Sequence, residues 1–129
     1  MFSAKVVSLF TVVILILSFV VWKFFLQGIE QSVRDDIKQG NKVVLLFSAK
    51  WCSTCVKQKP AYEAVKKEFP EIHFYNVMEN MNRVEQKLLF KEYNIHGIPT
   101  MILYKDGKEF KRFSGLKTKE QLSEEFSQL

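Results

Sequence analysis

The sequence predicts an α/β chain in which a central mixed β-sheet, flanked by helices, is preceded by an N-terminal transmembrane helix. Three observations predict it: an uncharged apolar run near the start, an alternation of helix-patterned and strand-patterned stretches, and a hairpin signal near the end. With 129 residues the chain has room for one folded domain beyond the apolar run. The expected organisation is an anchor with short flanks over 1–27 and a folded domain over 28–129.

The apolar run, VVSLFTVVILILSFVVW, extends from Val6 to Trp22 without a charge. Lys23 interrupts it, but Phe24, Phe25 and Leu26 continue, and a lysine near a helix end can extend its ammonium to the headgroups. As a helix, this stretch spans on the order of 30 Å, the thickness of a bilayer core. A cleaved signal peptide would show a shorter apolar core and then small residues. Here the run ends in Val-Val-Trp-Lys-Phe-Phe, and Ser18 and Gly28 form no A-x-A-like pair, so an uncleaved single-pass anchor is expected. Lys5 and the α-amino group precede the span and Lys23 follows it. This small excess favours an inside N-terminus and a domain on the extracytoplasmic side, periplasmic or cell-surface.

Beyond the anchor, Gln27–Gln39 reads as a short polar helix with Gly40 as its C′ residue. Residues 42–48, KVVLLFS, are continuously apolar, the pattern of a strand buried on both faces. A helix follows over about Cys52–Phe69, with Val56, Ala61, Ala64 and Val65 as small apolar positions, Pro60 inside it and Pro70 ending it. Residues 72–77 form a second strand. Residues 82–93 form an amphipathic helix with Val84, Leu88, Leu89 and Tyr93 on one side. Thr100–Tyr104 is a third strand, Lys105-Asp106-Gly107-Lys108 a hairpin turn, and Glu109–Phe113 the returning strand. Gly115 breaks it, and Thr118 caps a last helix ending near Leu129. The alternation predicts parallel strands joined by crossover helices, with the hairpin adding an antiparallel strand.

The net charge is +5, but Lys5 and Lys23 flank the apolar run, so the remainder is closer to neutral. Lysines are spread among glutamates, as on solvated helix faces, with no basic stripe interleaved with aromatics, so nucleic acid is not an expected partner. His73 and His96 read as surface or satisfied histidines and Asp106 as a turn residue. The chain has two cysteines, three residues apart. A disulfide scaffold needs more cysteines at longer spacing, and a structural zinc site needs four ligands. A bond across so short a loop braces little, so reactivity is the better reason for the pair.

Trp51-Cys52-Ser53-Thr54-Cys55 follows the buried strand and opens a helix, Pro60 lies five residues after Cys55, Ile98-Pro99-Thr100 precedes a strand, and Gly115 follows the hairpin. In these features the stretch from about Lys42 to Leu129 resembles the thioredoxin family. The resemblance implies the thioredoxin fold, with Cys52 as nucleophile, Cys55 as resolving thiol, and Pro99 as a cis-proline that exposes the Ile98 backbone to substrate. Trp51 would shape the substrate surface. Three departures stand beside these matches. Ser53-Thr54 replaces the usual Gly-Pro between the cysteines. Leu46 stands where thioredoxins carry a buried aspartate that relays protons. The first strand of full thioredoxins is not evident. The longer spacing before Gly97 is similar to that of periplasmic thioredoxin-like domains.

The implied chemistry is thiol–disulfide exchange. At a helix N-terminus Cys52 faces free N–H groups that stabilise its thiolate, with Lys50 and Lys57 nearby in sequence. Its thiolate attacks a substrate disulfide, and Cys55 then resolves the mixed disulfide. Ser53 and Thr54 tune the pair. Strong oxidants of this fold usually carry His between the cysteines; Ser53-Thr54 offers no such charge, and Ile98 before the proline is thioredoxin-like, so reduction of extracytoplasmic protein disulfides is expected. No cofactor is expected beyond the Cys52–Cys55 disulfide, and an upstream dithiol would donate the electrons. An oxidase or isomerase, or a non-enzymatic module binding a protein or copper(I) through the same cysteines, is the alternative.

Overall fold

The computed structural model describes residues 4–25, 29–79 and 84–129 of the chain. The apolar run forms one helix, α1 (Ala4–Phe25). Its stretch Val6–Lys23 has a mean hydropathy of 2.5, and none of it is buried.

The following elements are α2 (Ile29–Lys38), β1 (Val43–Ala49), α3 (Ser53–Lys66), β2 (His73–Glu79), α4 (Val84–Glu92), β3 (Thr100–Lys105), β4 (Lys108–Ser114) and α5 (Lys119–Ser127). The strands form one sheet in the order β2-β1-β3-β4. All of β1 is buried, as its unbroken apolar run requires. Alternate residues of β1 feed two cores. Val44 and Leu46 meet Tyr62 and Val65 of α3 and Leu122 and Phe126 of α5. Val43, Leu45 and Phe47 meet Val33 of α2 and Leu89 of α4 on the other face.

The direction of β3 departs from the sequence expectation. β2 runs parallel to β1, but β3 is antiparallel to β1, with Thr100 opposite Phe47 and Tyr104 opposite Val43. After α4, the segment Tyr93–Pro99 returns the chain to the end of the sheet where β1 finishes, so β3 must run back along β1. Ile98-Pro99 thereby arrives at the same end as Cys52.

The helix faces also differ from their apolar pattern. Leu88 is 52% exposed, and α4 packs through Leu89 with Phe90 and Tyr93 half-buried; the side chain of Val84 lies outside the described residues. On α3 the buried stripe is Cys55, Gln58, Tyr62 and Val65, whereas Val56 is exposed. α3 also ends at Lys66, short of Phe69.

Local signals set the element ends. Gly40 has φ +79, and the Gly40 and Asn41 N–H groups donate to the carbonyls of Ile37 and Asp36, closing α2 in a Schellman motif. Asp106 and Gly107, at φ 52 and 77, make the type I′ turn between β3 and β4. Thr118 and Gln121 form a capping box that opens α5. α2 is tied to β2 through Asp36, which accepts hydrogen bonds from the Tyr75 hydroxyl and Asn41 Nδ2 and contacts His73 Nδ1 at 2.6 Å. Burial pushes the Asp36 carboxyl up, but these hydrogen bonds outweigh it and hold the group below its ordinary value.

One buried polar side chain joins two distant segments. Gln58 has no exposed surface; its Nε2 donates to Lys117 O at 3.0 Å, and its Oε1 accepts from Lys117 N at 2.7 Å. The amide thus satisfies a loop backbone that would otherwise lack partners. Gln58→Ala removes both bonds and leaves a cavity. The expected loss is roughly 2–4 kcal/mol, read as a lower urea midpoint at unchanged slope.

Candidate active site

The site is built where β1 ends and α3 begins. Cys52 N–H donates to Ala49 O at 3.3 Å, turning the chain sharply out of the sheet. Cys52 is the N-cap of α3, with extended backbone (φ −84, ψ 107). Its Sγ accepts the Cys55 N–H at 3.1 Å, so the sulfur takes the place that a Ser or Asp oxygen takes at other helix starts. A negative charge on that sulfur would face the free N–H groups and the positive end of the helix dipole.

Cys52 and Cys55 are joined in a disulfide, with their Cα atoms 5.2 Å apart. The sequence reading expects an open Cys52 and an enclosed Cys55, yet in this oxidised form the residues are 8% and 7% exposed. Both pack with Ala49, and the half-buried Ile98 lies against them. What separates them is surroundings. Cys52 Sγ lies 4.0 Å from the Ile98 carbonyl oxygen, a proximity rather than a hydrogen bond, since a disulfide sulfur carries no proton. Cys55 faces inward, on the wall of a cavity shared with Leu46.

The remaining sequence-selected residues gather here. Trp51 is 71% exposed beside the pair, Ser53 is exposed, and Thr54 is half-buried. Ile98 is half-buried against the cysteines, Pro99 is buried, and the peptide between them is cis. Pro99 is held on both sides. Gly115 N–H donates to Pro99 O at 2.9 Å, and Thr100 Oγ1 donates to Gly97 O at 2.7 Å while also pairing with Ser114 Oγ. Lys50 and Lys57 are both exposed. Leu46, on the face of β1 toward α3, is 4% exposed and lies behind Cys55.

Two exposed apolar residues extend the rim of the site; the sequence reading took Val56 as an apolar helix position and did not single out Leu116. Val56 follows Cys55 and is 59% exposed; Leu116 follows Gly115 and is 53% exposed. A leucine inside an otherwise polar loop was the available signal for Leu116. Gln58 was missed because it is polar, although it pins the loop that carries Leu116.

The thioredoxin family profile matches residues 26–128. A thioredoxin of Chlamydia trachomatis is 35% identical over 94 residues, which are 72% of this chain and 86% of that protein. Thioredoxin H2 of Arabidopsis thaliana is 34% identical over 96 residues, 74% of this chain and 68% of that one. Among solved structures, the X-ray structure of Fasciola hepatica thioredoxin superposes with a TM-score of 0.62 at 32% identity, covering 76% of this chain and 88% of its own. A matching domain, a matching fold and a Cys-x-x-Cys pair at the start of α3 agree: the chain belongs to the thioredoxin family and is a thioredoxin-like disulfide reductase with Cys52 and Cys55 as its cysteine pair.

Proposed function

We propose that this chain reduces disulfides in proteins outside the cytoplasm while anchored in the membrane by residues 1–27, with 28–129 as the working domain. The observation that carries the chemistry is the Cys52 sulfur at the N-cap of α3, accepting the Cys55 N–H and facing the Ile98 carbonyl. In the reduced form the Cys52 thiolate attacks one sulfur of a substrate disulfide. A Cys52–substrate bond forms and the other substrate sulfur leaves as thiolate. Cys55, deprotonated, then attacks Cys52 Sγ, the intramolecular disulfide forms, and the second substrate thiolate is released. An upstream dithiol returns the pair to the reduced state, and no cofactor is needed beyond the two cysteines. Trp51 and Ile98 give an extended peptide an apolar rim, and the Ile98 carbonyl offers it a strand-like partner. Pro99 holds that backbone in place, and Ser53 and Thr54 leave the pair without an added charge. The membrane reading is supported by the length and hydropathy of Val6–Lys23 and by the absence of any buried residue within it, since a helix apolar all round needs an apolar surrounding.

Three tests follow from this mechanism and this location. Cys52→Ser abolishes reduction of insulin by the dithiol-charged protein, whereas Cys55→Ser accumulates a mixed disulfide visible on non-reducing gels. Faster native alkylation of Cys55 than of Cys52 in the reduced protein would reverse these roles. The full chain stays with membranes through a carbonate wash, and protease added to spheroplasts removes the folded domain. A mature N-terminus beyond residue 20 would eliminate the anchor, and protection from protease would reverse the sidedness. Leu46→Asp puts a carboxyl behind Cys55, speeding mixed-disulfide resolution near neutral pH while destabilising the fold by about 2–3 kcal/mol, because the carboxyl is buried without a partner. Stopped-flow reduction of a model disulfide, beside a denaturant melt, reads both effects.

A further inference from the structure

Three stretches of chain meet around the cysteine pair. Residues 46–62 carry the end of β1 and the first half of α3, residues 93–104 carry the cis-proline and β3, and residues 110–118 carry the end of β4 and the loop bonded to Pro99 O. Together they hold Lys50, Lys57, Lys59, Lys111, Arg112 and Lys117, and none of the chain's 14 acidic residues. Lys111 pairs with Glu125 and Arg112 with Glu109. The other four lysines have no ion-pair partner among the described residues. Glu79 ends β2 opposite Ala49, and its side chain lies outside the described residues. One carboxylate there would still leave the four lysines in excess.

These lysines surround the site rather than one side of it. Lys50 and Lys59 stand with Val56 on the rim of the space beside Cys55, and all three are exposed. Lys57 is exposed one helical turn after Ser53, and a helical side chain leans toward the N-terminus, here toward the cysteines. Lys117 follows Leu116; Gln58 fixes its backbone, and its ammonium sits 5.4 Å from the centre of the Phe113 ring. An ordinary solvated face mixes signs, as the chain around the end of α3 does with Glu63, Lys66, Lys67 and Glu68. Around the cysteines the signs are unmixed, and the lysines come from two loops and a helix that only the fold brings together.

We propose that Lys50, Lys57, Lys59 and Lys117 form a cationic collar that selects protein disulfides flanked by aspartate or glutamate. This inference rests on the exchange chemistry proposed above and names its substrate class. At physiological ionic strength the screening length is about 8 Å, so carboxylates next to a substrate disulfide enter the collar's field as that disulfide reaches Cys52. Such attraction acts mainly on the encounter, raising the association rate and making it depend on salt. The same field repels a disulfide flanked by lysines, so the collar rejects as well as attracts. Trp51, Val56 and Leu116, exposed among the lysines, add apolar contact that carries no preference for charge.

The test uses the full chain, reduced, in micelles of an uncharged detergent. It is mixed in a stopped-flow instrument with three peptides of equal length, each carrying one disulfide flanked by aspartates, by serines or by lysines. Each rate is divided by that of the same peptide with dithiothreitol, which removes the effect of the flanking charge on the disulfide itself. At low salt the aspartate peptide should react roughly tenfold or more faster than the lysine peptide, with the serine peptide between them, and the gap should close to about twofold in about 1 M salt. Replacing the three exposed lysines together, Lys50→Gln, Lys57→Gln and Lys59→Gln, should shrink the aspartate-to-lysine ratio at least about threefold. The ratio is the readout because any change in the reactivity of Cys52 cancels from it. Lys66→Gln, Lys67→Gln and Lys108→Gln together remove the same charge from exposed positions away from the site and should leave the ratio as it is. Equal normalised rates for the three peptides at low salt, or equal loss of the ratio in both triple variants, overturns the proposal. Equal rates in micelles, with all three peptides slowed in vesicles of anionic relative to zwitterionic lipid, assign the collar to the lipid surface and overturn it too. A chain that reduces the serine peptide without any charge preference loses this inference and keeps its reductase chemistry. A chain that shows the preference, yet reduces no extracytoplasmic protein, retains this inference and loses the proposed function.

Discussion

Strand β1 lies between β2 and β3, with helices on both of its faces and every residue from Val43 to Ala49 buried. A strand enclosed in this way cannot slip by one residue without sending Leu46 and Phe47 to the wrong cores. Its far end is therefore a fixed point. The chain leaves at Ala49, turns, and starts α3 on Cys52, so the sulfur's place at the helix N-terminus follows from the strand's register. Because β3 is antiparallel to β1, its start is brought to the same point, and Pro99 is laid beside the cysteines by the same pairing.

The surrounding loops are held by backbone bonds rather than by bulk. Gly115 N–H bonds to Pro99 O and can do so because its φ of +88 suits a residue without Cβ. Gln58 fastens Lys117 two residues further on, and the capping box at Thr118 then starts α5. A continuous chain of contacts thus runs from the interior of α3, through the 115–118 loop, to the proline facing the disulfide. The exposed apolar residues Trp51, Val56 and Leu116 stand on this base.

The chemistry of the pair is distributed asymmetrically between helix and cavity. Cys52 Sγ accepts the Cys55 N–H at the start of α3, a fixed donor that a thiolate there would meet without reorganisation. Among the described residues Cys55 Sγ has no such donor, and Leu46 rather than a carboxylate lies behind it. The polar side chains that line the space beside it, Ser48 and Asn76, come from β1 and β2 and are hydrogen-bonded to each other at 2.8 Å.

The sequence by itself determined the order and kind of every element from α1 to α5, because these rest on local signals: a two-residue or 3.6-residue period, Gly40 and Gly107 at positive φ, and Thr118 three residues before Gln121. It also marked the cysteine pair by its three-residue spacing, and the Ile98-Pro99 segment by resemblance to the thioredoxin family. Tertiary structure alone decided the direction of β3, because α4 and the segment after it carry no signal for which end of the sheet they return to. It decided that Leu88 and Val56 face outward while Gln58 is buried, since periodicity identifies a stripe but not what lies opposite it. Gln58 can be buried only because the backbone of Lys117, 59 residues away in sequence, supplies both of its partners. Tyr62 reads in sequence as one more aromatic on a helix; its burial edge-on to Phe74 follows only when α3 and β2 meet, and no spacing along a chain records the shape of a space between elements.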